Sequence, residues 1–290
     1  MKTKTTKANV FEPQFNTPAE KHHTLEEVLE LFTQLRLGTA KAALLSRVDE
    51  SYFNQLVLFD QLFCIFNPEV IKRKDSSFNN KVKKANLRSN ATPSQINEAK
   101  ERYNLESNQL EYLFSDRWLK SHKRIVIQGR CGAGKTSLAT AILVSLMKLG
   151  YKTRSEDFAT LMFKLSVAKD SDSSTSTYYY DQIKQIASNK VLLLDDFVIE
   201  EHQEAYAPIL KNLLDECADS GCELIITAQK TKSKWIEALG SNELAEACVD
   251  RIRQNDLVIK LTGDSFRAIK QGDEGDELFK QKKEAVTNDK

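Results

Sequence analysis

The chain contains an octapeptide, Gly129-Arg130-Cys131-Gly132-Ala133-Gly134-Lys135-Thr136, with three glycines, a lysine and a hydroxyl at the spacing G-x-x-x-x-G-K-[ST]. Glycines at these positions let successive backbone N–H groups turn inward around a phosphate. The helix expected to start at the loop adds the positive end of its dipole. Lys135 then reaches β- and γ-phosphates, Thr136 places its hydroxyl on Mg²⁺, and Ser137 follows in the first helical turn. Cys131 reads as a passive occupant of a permissive position.

A second constellation lies 60 residues on, where Val191-Leu192-Leu193-Leu194 runs into Asp195-Asp196. An acid at the end of a buried strand can hold the water shell of Mg²⁺, the part of Asp195. Asp196 can orient and activate an attacking water. The 60-residue gap leaves room for an additional strand. A third apolar run, Leu224-Ile225-Ile226, ends in Thr227-Ala228-Gln229. Thr227 or Gln229 can touch a γ-phosphate or the attacking water from a neighbouring strand. Arg251 and Arg267 can each stabilise transition-state charge, in cis or from a second subunit, or serve as ordinary ion-pair residues. Cys217, Cys222 and His202 lack metal-ligand spacing. ATP with Mg²⁺ is the cofactor set implied.

The elements that must position these groups follow from periodicity. Strands are expected at Arg124–Gln128, Tyr151–Arg154, Lys190–Asp195, Cys222–Ala228 and Leu257–Leu261. Helices are expected at Thr136–Leu149, Glu156–Ala168, Tyr178–Ser188, Glu204–Asp219 and Asn242–Arg253. Such alternation implies right-handed crossovers and a mainly parallel sheet, here five-stranded. Upstream, Leu25, Val28, Leu29, Phe32 and Leu35 share one helical face, and Thr24 with Glu27 forms a capping-box pattern. The expected organisation is an arm over residues 1–23, a helical domain over 24–68 closed by Asn67-Pro68, a basic linker over 69–98, an ATPase domain over 99–267 and a charged tail over 268–290.

Composition bounds the rest. With 41% hydrophobic and 29% charged residues, the chain cannot be wholly disordered. It has no apolar run long enough for a transmembrane helix and no secretory leader at its start. Five scattered cysteines suit free thiols in a reducing cytoplasm. A net charge of +1 places any nucleic-acid surface in a local patch. The segment from Lys72 to Arg88 carries seven basic residues against one acid, Asp75, and suits a phosphate backbone, a solvated linker or a weakly helical connection. The Ser/Thr-rich loop Ser171–Thr177, followed by Tyr178, Tyr179 and Tyr180, is a second, weaker candidate.

Together these residues resemble the IstB/DnaC-like group of AAA+ ATPases. The resemblance rests on the phosphate loop, on Leu193-Leu194-Asp195-Asp196-Phe197, on Ile225–Gln229, and on Trp235, Leu239-Gly240, Leu244-Ala245, Ala247 and Asp250-Arg251. It ends with Gly263-Asp264-Ser265-Phe266-Arg267. Leu35-Arg36-Leu37-Gly38 with Ala40 and Ala43-Leu44 is similar to the N-terminal helical segment of the transposition-helper branch. The resemblance implies a P-loop AAA+ core behind a small helical domain. It makes Gln229 the sensor-1 residue, Arg251 a trans-acting arginine finger and Arg267 a cis sensor-2 arginine. It further implies DNA binding, ATP-dependent homo-oligomers and a partner that is a transposase in one branch or a replicative helicase in the other. Two departures stand out: Asp196 where many AAA+ proteins carry Glu, and Val198 where the family usually has Gly. A P-loop small-molecule kinase and an ATP-binding scaffold without turnover are the competing classes.

Overall fold

In a computed structural model the described residues are 23–121, 124–171, 177–198 and 203–262. The chain divides into two units, Met1–Asp75 and Ser76–Lys290.

The first unit is helical. Its helices are α1 (Leu25–Gln34), α2 (Gly38–Leu45), α3 (Ser51–Gln55) and the start of α4 (Leu58–Lys84). The capping box at Thr24 and Glu27 forms as the sequence predicts. Phe32, Ala40, Leu44, Phe53 and Ile65 make its small core. The expected stop at Asn67-Pro68 does not occur, because α4 continues through Pro68. A proline inside a helix removes one hydrogen bond and crowds the preceding turn. A tertiary contact holds the next residue in place. Glu69 accepts from the N–H groups of Thr39 and Ala40 at 2.8 and 3.2 Å, capping α2, which has no side-chain cap of its own. Arg73 Nε donates to the other carboxylate oxygen of Glu69 at 2.8 Å, and Arg73 Nη2 donates to the carbonyl of Arg36 at 3.0 Å. Much of the expected linker is therefore ordered helix.

The second unit is built around a parallel sheet of β1 (Arg124–Gly129), β2 (Thr153–Asp157), β3 (Val191–Asp195), β4 (Glu223–Ala228) and β5 (Asp256–Leu261), in the order β2-β3-β4-β1-β5. All five expected strands are present. The second begins two residues later than predicted, because Tyr151 closes the preceding helix through its N–H to Leu146. Side chains alternate between the sheet's two faces, as a period of two requires. Val126, Leu192, Leu194, Leu224 and Ile226 enter one core, and Ile125, Ile127, Val191, Leu193 and Ile225 the other. The first core is covered by α10 (Phe158–Ser171), α11 (Thr177–Ala187), α12 (Ala207–Ser220), α13 (Lys232–Ala238) and α14 (Glu243–Arg253). The second is covered by α9 (Lys135–Lys148) and the short helices α5 (Pro93–Glu98), α6 (Lys100–Tyr103), α7 (Ser107–Phe114) and α8 (Trp118–Ser121). The continuous apolar strands follow from burial on both faces. The Ser/Thr-rich loop lies mostly outside the described residues, and of the three tyrosines after it Tyr179 is buried while Tyr178 and Tyr180 are exposed.

Candidate nucleotide site

The glycine-bearing loop joins the C-terminal end of β1 to α9. Gly132 and Gly134 have φ of 81° and 83°, conformations that favour glycine, and Gly134 is the residue preceding α9. Gly129 is fixed by space: a Cβ there would stand 2.9 Å from the carbonyl oxygen of Leu261. Lys135, 5% exposed, donates from Nζ to the carbonyl of Arg130 at 3.0 Å, so the loop holds its own cation. Ala133 is buried, Cys131 is exposed, and the hydroxyl of Ser137 is engaged by Tyr103.

The two acids are wired to neighbouring strands. Asp195, 1% exposed, accepts from Thr136 Oγ1 at 3.0 and 3.1 Å on its two oxygens. Thr227, fully buried at the end of β4, donates its hydroxyl to Asp195 Oδ1 at 2.6 Å. The same hydroxyl accepts from the N–H of Asp196 at 2.8 Å, and the N–H of Phe197 bonds the Thr227 carbonyl. Thr227 is thus spent on holding the acids in register. Asp196 sits at φ 55°, turning its side chain away from the strand direction. Burial and the neighbouring Asp195 raise its pKa above the ordinary aspartate value, against Arg88 and Lys135. A carboxylate poised in that sense is a better proton acceptor near neutrality. Val198 also has a positive φ, 50°, which is unusual for a β-branched residue. This is the position at which the sequence departs from the glycine expected of its family.

Two participants escaped the sequence reading. Arg88 does not lie in a uniformly basic patch. Its Nη1 stands 2.8 Å from Asp157 Oδ2, 3.2 Å from Asp195 Oδ2 and 3.5 Å from Asp196 Oδ2. Asp157, at the C-terminal end of β2, also accepts from the N–H and hydroxyl of Thr160 at 2.9 and 2.6 Å. Burial pushes its pKa upward, but the bonds from Thr160 and Arg88 outweigh that and hold it low. No local motif marks either residue. The nearest signal is an acid at the end of a strand adjacent in the sheet, legible only once β2 is placed beside β3.

Gln229 follows β4 and is exposed; with Gly129, Arg130, Lys230 and Thr262 it lines a cleft of about 450 Å³ at the ends of β1, β4 and β5. Arg251 lies elsewhere. In the last turn of α14 it pairs with Asp215 of α12 at 2.8 Å. Its charge acts on Arg124, which begins β1 and donates to the carbonyl of Gln254. Arg251 therefore sits at the N-terminal end of the strands, about 16 Å of extended chain from the loop that ends β1. Arg267 lies outside the described residues, as do Glu200, Glu201 and His202.

The donor set suits a hard divalent cation. One hydroxyl and one carboxylate, completed by waters and phosphate oxygens, would be the arrangement Mg²⁺ favours over an all-protein cage. Among the described residues no group of three or more His, Cys, Asp or Glu side chains is placed to hold a metal unaided. Among the same residues no helix is long and apolar enough to cross a membrane.

The chain is 24% identical over 237 residues to an insertion-sequence ATP-binding protein of Mycobacterium tuberculosis, covering 82% of this chain and 92% of that protein. It is 27% identical over 249 residues to an insertion-sequence ATP-binding protein of Sinorhizobium fredii, covering 85% and 96%. Among solved structures it is similar to the DnaC helicase loader, with a TM-score of 0.42 at 19% identity over 56% of this chain and 99% of that one. The model of the IstB-like ATP binding proteins matches residues 31–273. A match over that much of the chain shows the family: this chain belongs to the IstB-like ATP-binding proteins.

Proposed function

We propose that this chain hydrolyses ATP, assembles on DNA into a homo-oligomer, and in that form recruits or activates a transposase. The single observation that carries turnover is the array of Thr136, Asp195 and Asp196 locked by Thr227 beside Lys135. In this reading Lys135 and the loop amides bind the β- and γ-phosphates. Thr136 and Asp195 hold Mg²⁺, which when bound neutralises phosphate charge. Asp196 takes the proton of the attacking water, and Gln229 orients the γ-phosphate side of the site. Arg267 contributes a cis contact to the nucleotide.

Arg251 supports an assembled state. It lies at the far end of the strands from its own loop, so its guanidinium meets a γ-phosphate only if a second subunit brings one. The transposase, rather than a replicative helicase, is favoured by the relatives, whose names place them in insertion sequences. Lys81, Lys83 and Lys84, in the last turn of α4, supply a local cationic group for DNA.

The test is a complementation assay of phosphate release. Asp196→Asn and Arg251→Ala are each expected to lose turnover while binding ATP. Mixed, they regain activity at interfaces where an intact Asp196 faces an intact Arg251. Absence of rescue in demonstrably mixed assemblies would overturn the trans role.

A further inference from the structure

Arg88 belongs to a short strap that follows α4 and crosses the edge of the sheet. The N–H of Ser155 in edge strand β2 donates to the carbonyl of Ala85 at 2.7 Å, and Asn86 Nδ2 donates to the carbonyl of Ser155 at 3.2 Å. Asn86 has φ 53°, a left-handed turn that asparagine tolerates and that redirects the chain toward the strand ends. Ala85 is fully buried, so the strap is anchored at one end. At the other, the Arg88 side chain is 42% exposed, with solvent available to receive it.

One guanidinium nitrogen therefore serves three carboxylates from two strands. It carries at most two hydrogens, so it satisfies them as a shared charge rather than as a bidentate fork. Three acids at one strand edge repel one another unless a cation stands among them. The oxygens of Asp195 are divided accordingly. Oδ1 is taken by Thr136 and Thr227, and Oδ2 by Thr136 and Arg88.

We propose that Arg88 is a built-in counter-cation of the nucleotide site, which competes with Mg²⁺ for Asp195 and loosens the strap when the metal–nucleotide pair is loaded. The inference rests on the ATP–Mg²⁺ site described above and extends it to a residue outside the motifs. A fixed positive charge next to a divalent cation disfavours it, and the cation draws the same carboxylate into its own water shell. Arg88 then leaves the three acids for solvent. The strap residues past the Ala85 and Asn86 anchors, 87–90, lose the side-chain tie that holds them to the strand ends. Arg88 acts here as a positioning residue, through the acids it gathers.

The experiment measures the Mg²⁺ concentration that half-saturates binding of ATPγS, a slowly hydrolysed analogue, to the full chain. Arg88→Gln is expected to lower that midpoint by roughly tenfold or more: a like charge a few ångströms from the metal at an effective dielectric near 20 disfavours it by well over tenfold, and solvent around the half-exposed side chain screens much of that. Arg88→Lys keeps the charge and should stay within about threefold of wild type. An unchanged or higher midpoint in Arg88→Gln overturns the proposal. So does a weaker ATPγS affinity in that variant without metal, which would make Arg88 a phosphate ligand. The wild-type chain provides an independent arm should the variant fail to fold. Amide hydrogen exchange over residues 87–90 should be faster with ATPγS and Mg²⁺ than with ATPγS and a chelator; equal or slower exchange overturns the release. Failure of the wild-type chain to bind ATPγS at any Mg²⁺ concentration is a separate result, which would remove the nucleotide-site reading itself.

Discussion

The two ends of the central sheet differ in how their charged groups are held. At the C-terminal end, Asp195 is almost wholly buried and bonded to Thr136, Thr227 and Arg88, and Thr227 also fixes the backbone of Asp196. At the N-terminal end, Arg251 meets Asp215, which Lys211 also pairs with at 2.7 Å, and the Arg251 and Asp215 side chains are each about a third exposed. An exposed pair of that kind contributes less than about 1 kcal/mol once solvent screens it. On the function proposed above, the difference would be a division of labour: groups that meet phosphate and metal with fixed geometry would be pre-organised by buried, mutually satisfied bonds, and a group that crosses to another subunit would be held lightly enough to change partners.

The largest expected effect tests the lightly held end. Arg251→Ala should cut phosphate release about 10³-fold or more, the usual range for an arginine finger, while leaving ATP affinity in the monomer nearly intact. Asp215→Asn should do far less; if it proves equally damaging, the ion pair itself is what matters and the comparison between the ends fails. Next comes the tightly held end. Asp196→Asn should slow hydrolysis by about 10²-fold and preserve binding. In the wild-type chain, turnover should fall on acidification through a midpoint above the ordinary aspartate pKa, because burial and Asp195 raise that of Asp196. The active form is the deprotonated one, so activity is retained above the raised value and lost below it. A pH profile flat through the acid range would move the base elsewhere.

Lys135→Ala should weaken ATP binding by about tenfold to a hundredfold, the value of a charge-assisted bond to phosphate. Unchanged affinity by titration would dissolve the phosphate-loop assignment. The smallest effect concerns Val198. In most buried strands Val→Gly loses both burial and backbone order. Here glycine also relieves a left-handed strain of about 1–2 kcal/mol. Val198→Gly should therefore cost clearly less than Val126→Gly in chemical denaturation, although both valines are fully buried. Equal losses would mean that the φ of 50° stores no strain.

Much of the α/β core was legible because its signals are local. Alternation between buried strands and helices appears in the composition of successive segments, and the loop motif carries its own backbone requirement through Gly132 and Gly134. Ranges shifted by a residue or two where a turn decided the boundary, as at Tyr151. The linker, or weakly helical connection, expected over residues 69–98 is largely helix for a different reason. Pro68 is a helix breaker by local propensity, and Glu69 capping a helix 30 residues earlier in the chain is a tertiary contact that local propensity cannot contain. Arg88 was misread by the same logic: within its segment it is one basic residue among seven, and only the fold brings Asp157, Asp195 and Asp196 around it.

The sequence by itself determined which atoms can hold phosphate, since glycine spacing, a lysine and a hydroxyl define that chemistry within eight consecutive residues. It determined the parallel α/β layering too, because continuous apolar runs, the mark of burial on both faces, recur in β1, β3 and β4 and alternate with helices. The tertiary structure alone decided the rest: that Thr227 serves the acids rather than a ligand, that Arg251 faces away from its own loop, and that Arg88 closes the acid cluster. Each of these depends on which strand ends lie side by side in the order β2-β3-β4-β1-β5. Chain order cannot supply that, because crossovers place strands distant in sequence within a hydrogen bond of one another.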